Sequence, residues 1–88
     1  MPLKFPNQSR SYDRTRRAVR FWGYDTSTEY SFFVTVDALQ RMEPHLRHDE
    51  GGFIGAFDAN RDLICWTAAQ VHSRDRKTRY ELVGADFR

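Results

Sequence analysis

The chain has 88 residues, 40% of them hydrophobic and 15% aromatic, and carries a formal net charge of +2. That length allows one domain spanning 1–88, with residues 1–9 as an extended lead-in, and excludes a two-domain enzyme, a barrel-type catalyst and a large repeat array. Low net charge with apolar residues spread throughout excludes disorder, and the apolar runs fall far short of the ~20 residues a membrane helix requires.

Residues 1–9 contain two prolines, Asn and Ser, which favour irregular, extended backbone. Ser11-Tyr12-Asp13 is short enough for an edge strand. From Arg16 to Tyr24 the pattern alternates, with Arg17, Val19 and Phe21 on one side and Ala18, Arg20 and Trp22 on the other. Turn-forming residues at Gly23–Ser27 lead into a second β-rich run, Thr28–Val36, and the pair reads as an antiparallel hairpin with a loop of about five residues. A short helix begins at a Thr35 or Asp37 cap and stops at Pro44. His45–Gly52 reads as a polar connector. A longer helix is predicted from Phe53 to Ser73, because Phe53, Phe57, Ile64, Ala68 and Val71 fall within about 60° of one another at 100° per residue. The basic turn Arg74–Lys77 ends it, and Thr78–Val83 reads as a last strand with Tyr80 and Leu82 on one face.

An isolated hairpin is marginal in water, so the last strand is expected to join it. The predicted class is α+β in two layers, an antiparallel sheet of three to four strands packed against one long and one short helix. Leu3-Lys4-Phe5-Pro6-Asn7, Ser11-Tyr12-Asp13, Val19-Arg20-Phe21-Trp22-Gly23, Phe57-Asp58-Ala59-Asn60-Arg61-Asp62 and Tyr80-Glu81-Leu82 resemble, in order and spacing, the small bacterial family known as domain of unknown function 1488. The resemblance runs from Leu3 to Phe87. It implies a single-domain bacterial α+β protein, and since the family has no established activity, it implies no catalytic residue.

Motifs with chemical potential each meet an obstacle. Asp58-Ala59-Asn60-Arg61-Asp62 matches the start of a calcium loop, but its sixth position is Leu63 rather than Gly and its twelfth is Ala69 rather than Glu. A solvated helix face, with Arg61 pairing Asp58, accounts for it better. His45, His48, Asp49 and Glu50 are metal-ligand types, yet a closed zinc site draws four ligands and no second cluster supports them. Cys65 and His72 stand about 10.5 Å apart along one helix, too far for a nucleophile and its base. Gly51-Gly52-Phe53-Ile54-Gly55 lacks the Lys and Ser/Thr of a nucleotide loop. No catalytic constellation, cofactor or metal is therefore expected.

Charge is unevenly placed. Residues 1–20 hold six cations against Asp13 alone, residues 21–66 hold three arginines against eight acids, and residues 67–88 hold five cations against three acids. Twelve of the fourteen cations are arginine, which suits planar contacts with carboxylate or phosphate. Arg16, Arg17, Arg20, Trp22, Lys77 and Arg79 form a candidate site for nucleic acid or another polyanion, since guanidinium groups beside an aromatic plane suit single strands. Trp66, with Leu63 beside it, lies about 180° around the helix from Phe57 and is a candidate interface. A single cysteine, and a start without an apolar signal stretch, point to a cytoplasmic location. The expected role is a non-catalytic interaction or regulatory module that forms a homodimer or binds a protein partner. The alternative is a nucleic-acid-binding accessory protein; no membrane association is expected.

Overall fold

Alternating apolar and polar residues fold into two eight-residue strands in the computed structural model, which describes residues 3–87; Met1, Pro2 and Arg88 lie outside the described residues. These strands, β2 (Ala18–Asp25) and β3 (Thr28–Thr35), pair antiparallel, with Phe21 opposite Phe32 and Val19 opposite Val34. Only Thr26 and Ser27 lie between them, so the loop is tighter than the expected five residues. Thr26 has φ 58°, a left-handed conformation that its sequence does not advertise, because glycine or asparagine usually occupies such a position. β1 (Ser11–Asp13) adds to the other edge of β2.

Thr35 ends β3 and caps α1 (Val36–Met42) by accepting a 3.2 Å hydrogen bond from the Ala38 amide. The next helix, α2 (Glu50–Ala59), starts inside the expected connector. Asp49 caps it by accepting from the Gly52 amide at 2.7 Å. Gly52 is required there, since a Cβ at that position would collide with the Arg47 carbonyl. The long helix predicted over 53–73 is two helices, α2 and α3 (Arg61–Arg74), divided at Asn60. The Asn60 side chain donates to Ala56 O at 2.9 Å and to Glu43 Oε2 at 3.1 Å, an alternative to continuing the helical ladder.

The last strand, β4 (Arg79–Leu82), joins β3 and completes the order β1-β2-β3-β4. It runs parallel to β3, with Ser31 opposite Arg79 and Val34 opposite Leu82, so the sheet is mixed where an all-antiparallel one was expected. Three helices intervene between β3 and β4, and a crossover of that length returns the chain to the end of the sheet where β3 began, which makes the parallel pairing.

All three helices contribute to one core. Phe21 and Phe32 stack at 5.3 Å between ring centres, Phe57 meets Phe21 at 5.1 Å, and Leu39, Ile64, Ala68 and Leu82 are buried around them. The predicted helix stripe is thus confirmed at Phe53, Phe57, Ile64 and Ala68, although two helices share it; Val71 is half-buried. The lead-in also covers core. Lys4 forms an antiparallel bridge with Tyr24, and Phe5 packs against Phe21 and Phe32 over Gly23, where an added Cβ would stand 2.8 Å from the Phe5 ring. Arg10 then clamps Asp58 on α2 through two bonds of 2.9 and 2.7 Å. Arg61, expected to pair with Asp58, instead donates to Asn7 O at 3.0 Å and lies over the Phe57 ring.

Two predictions follow from this packing. Phe57→Ala removes the ring that joins α2 to the sheet and is expected to cost about 3–5 kcal/mol in urea unfolding. Asp58 is held below the usual carboxylate range, first by its hydrogen bond to Arg10 and then by Arg10's charge, against a partial desolvation cost. Because the folded-state value is the lower one, the clamp contributes fully above the unfolded value of about 3.9 and is lost as pH falls through the lowered value. The pair is partly exposed, so its contribution is modest. In an NMR titration, Arg10→Gln should move the Asp58 midpoint upward; an unchanged midpoint would refute the clamp.

Candidate functional site

With the helices on one side of the sheet, the other side is an open face. Val19, Phe21, Phe32, Tyr80 and Leu82 point into the core, so strand alternation turns Arg20, Trp22, Ser31, Phe33, Arg79 and Glu81 outward. The Arg20 guanidinium lies 5.0 Å from the Trp22 ring centre and 5.5 Å from that of Phe33, and donates to Ser31 Oγ at 3.1 Å. Its Nε is buried without a hydrogen-bond partner among the described residues. Arg16 covers Phe33 at 4.7 Å, which leaves that ring only 4% exposed although no helix lies over it.

The structure gathers three of the six candidate polyanion ligands. Arg20, Lys77 and Arg79 line one open cleft of about 530 Å³ together with Glu29, Ser31 and Thr78. Arg79 stands opposite Ser31 across the parallel pair, and Ser31 donates its amide to Thr78 O at 3.1 Å. Tyr80 fixes the turn that carries Lys77: its hydroxyl accepts from the Lys77 amide at 2.8 Å and donates to Asp75 O at 2.6 Å. Trp22 sits beside the cleft beneath Arg20. Arg16 is held by Asp13 at 3.7 Å, and Arg17 lines a different cleft with Asp37, Gln40 and His48. Ser31, Thr78 and Glu29 escape sequence reasoning, because Ser31 and Glu29 reach Arg20 through the β2–β3 register and Thr78 through the β3–β4 register.

On the opposite side, α3 exposes the candidate interface. Trp66 is 63% exposed and Leu63 46%, while Ile64, Thr67 and Ala68 on the same helix are buried. Gln70, one turn further along α3, is exposed as well.

His72 is 3% exposed and wedged against Tyr30 at 4.5 Å and Tyr80 at 5.9 Å. His45 and His48 stand in the connector outside the core. Among the described residues, no three His, Cys, Asp or Glu side chains gather into a metal-holding group, and no helix is long and apolar enough to cross a membrane.

Comparison with known proteins adds a family and a fold. The profile described as "Protein of unknown function (DUF1488)" matches residues 3–83. The crystal structure of a protein of unknown function from the same family, from Shewanella loihica PV-4, superposes with a TM-score of 0.80 at 13% identity, covering 92% of this chain and 91% of that one. No curated protein matches the chain.

Cys65 is the one thiol, half-buried on α3, and burial pushes its pKa up. Since the thiolate is the reactive form, little of it exists at neutral pH. Alkylation of the native protein by iodoacetamide should therefore be slow at pH 7, accelerating above the ordinary thiol range and on unfolding. Rapid labelling at pH 7 would identify Cys65 as an activated nucleophile instead.

Proposed function

The chain belongs to the DUF1488 family of proteins of unknown function, and from that starting point we propose that it is a cytoplasmic, non-catalytic interaction module that self-associates through α3. The observation that carries this reading is the exposure of Trp66, 63%, in a small protein that buries Phe21, Phe32 and Phe57 completely. A large aromatic beside an exposed leucine is the kind of patch that protein interfaces use.

A second copy is the favoured occupant because α3 is self-complementary end to end. On the helical wheel Asp62, Leu63, Gln70 and Ser73 fall within about 60° of Trp66, and Arg74 at about 80°. Asp62 stands in the first turn and Arg74 in the last. Two α3 helices packed antiparallel about a two-fold axis set Asp62 of each copy near Arg74 of the other, with the Trp66 and Leu63 side chains between them. One helix face buries a small area, so the dimer should be reversible and dependent on concentration.

Light scattering is expected to show the mass rising from 10.4 kDa toward twice that value with concentration. Trp66→Ala should remain monomeric throughout, with unfolding stability within about 0.5 kcal/mol of the wild-type monomer, as for a surface residue. A wild-type protein that stays monomeric at millimolar concentration contradicts the reading.

A further inference from the structure

From the cleft between β2 and β4 we infer a second binding site, independent of α3, that takes the terminal phosphomonoester group of a small molecule. Neighbouring strands lie about 4.8 Å apart, so β2 and β4 are separated by about 10 Å across β3. Arginine side chains reach across that gap, and both Arg20 and Arg79 neighbour Ser31, one by a hydrogen bond and the other by register. Lys77 reaches the same space from the turn that Tyr80 fixes. Neither Arg20 nor Arg79 forms an ion pair among the described residues, so the one carboxylate that lines the cleft, Glu29, neutralises neither guanidinium by direct contact. The Ser31 and Thr78 hydroxyls supply neutral hydrogen-bonding groups.

Charge selects the class of anion. The lining holds three cations against Glu29, whose carboxylate accepts from the Tyr24 hydroxyl at 2.7 Å; Lys77 is also paired with Asp75 at 3.2 Å, so Arg20 and Arg79 carry the uncompensated charge. That excess matches a monoester, which carries about −1.5 to −2 near neutral pH, better than a singly charged diester. Planar guanidinium groups also suit the tetrahedral oxygens of a phosphoryl group.

Geometry separates this ligand from a single-stranded nucleic acid. A stacking platform needs free aromatic faces, but Phe33 is buried beneath Arg16 and Arg20, and Arg20 also covers Trp22. The remaining cations do not extend the cleft into a track, because Arg16 is paired with Asp13 and Arg17 lines another cleft. Glu81, next to Arg79 along the outer face, opposes a further phosphate.

The test is an NMR titration of ¹⁵N-labelled protein with inorganic phosphate, glycerol phosphate, dimethyl phosphate and a twelve-residue oligothymidylate, each against sodium chloride at matched ionic strength. Phosphate and glycerol phosphate should give saturable shifts at the Ser31, Thr78 and Arg79 amides, with dimethyl phosphate about tenfold weaker or more. Arg79→Gln, at an exposed position that the core does not use, should weaken phosphate binding about tenfold or more, the loss expected for one charge-assisted bond. Glu29→Gln should tighten it, a gain that misfolding does not produce. Shifts equal to those from chloride, equal binding of the diester, or oligothymidylate binding that phosphate fails to displace would each overturn the inference.

Discussion

The parallel pairing of β4 with β3 decides most of this structure. A strand that returns parallel to its neighbour needs a crossover, and here the crossover is the whole helical half of the chain, α1 to α3. Those helices pack on one side of the sheet and bury its aromatic face, which leaves the other face without a layer. The same pairing carries the Lys77–Arg79 segment, distant in sequence from the hairpin, to a place beside Arg20. Had β4 paired antiparallel, its first residue would lie at the opposite end of β3, and the three cations would not line a common cleft.

The two faces solve the problem of a thin core differently. On the helical side, burial is completed by the lead-in, which lays Phe5 over Gly23 and ties itself down through Arg10 and Asp58. On the open side, arginines take the place of a second layer: the Arg16 and Arg20 guanidinium groups stand over Phe33 at 4.7 and 5.5 Å and shield it from water. Arginines in this sheet therefore have a packing role as well as an electrostatic one. Arg79 is exposed and unpaired among the described residues, and Lys77 is tied to Asp75 alone at 3.2 Å. Arg20 combines both roles, since its guanidinium packs on rings and also lines the cleft unpaired beside Arg79.

Much of this was legible in residue pattern. Alternation in β2 located the core residues Val19 and Phe21 and the outward pair Arg20 and Trp22. Exposure of Trp66 was legible as well, even though the predicted helix was wrong in extent. The break at Asn60 cancels any phase carried from Phe57, but within α3 Trp66 stands two residues from both Ile64 and Ala68, about 160° from each on the wheel. Strand direction was hidden, because Tyr80 and Leu82 alternate identically in a parallel or an antiparallel partner. The helix break had one local sign, an asparagine between two aspartates, residues that compete with the helical backbone. The hairpin turn was placed by its turn-forming residues, but its two-residue length had no sign, since Thr26 adopts a left-handed conformation without the usual residue. Strand direction and hairpin register set the composition of the cleft, which is why half of its lining had no sequence signal.

The molecule presents two separate surfaces on opposite sides of one sheet, and the two tryptophans report on them individually. Trp66 lies on the α3 stripe and Trp22 beneath Arg20 on the open face. The most direct measurement follows both indole N–H resonances through a protein dilution series and then through a phosphate titration. Dilution should move the Trp66 resonance and leave Trp22 in place, and phosphate should do the reverse. A Trp66 resonance that ignores concentration, or two resonances that respond together to either variable, would contradict the account.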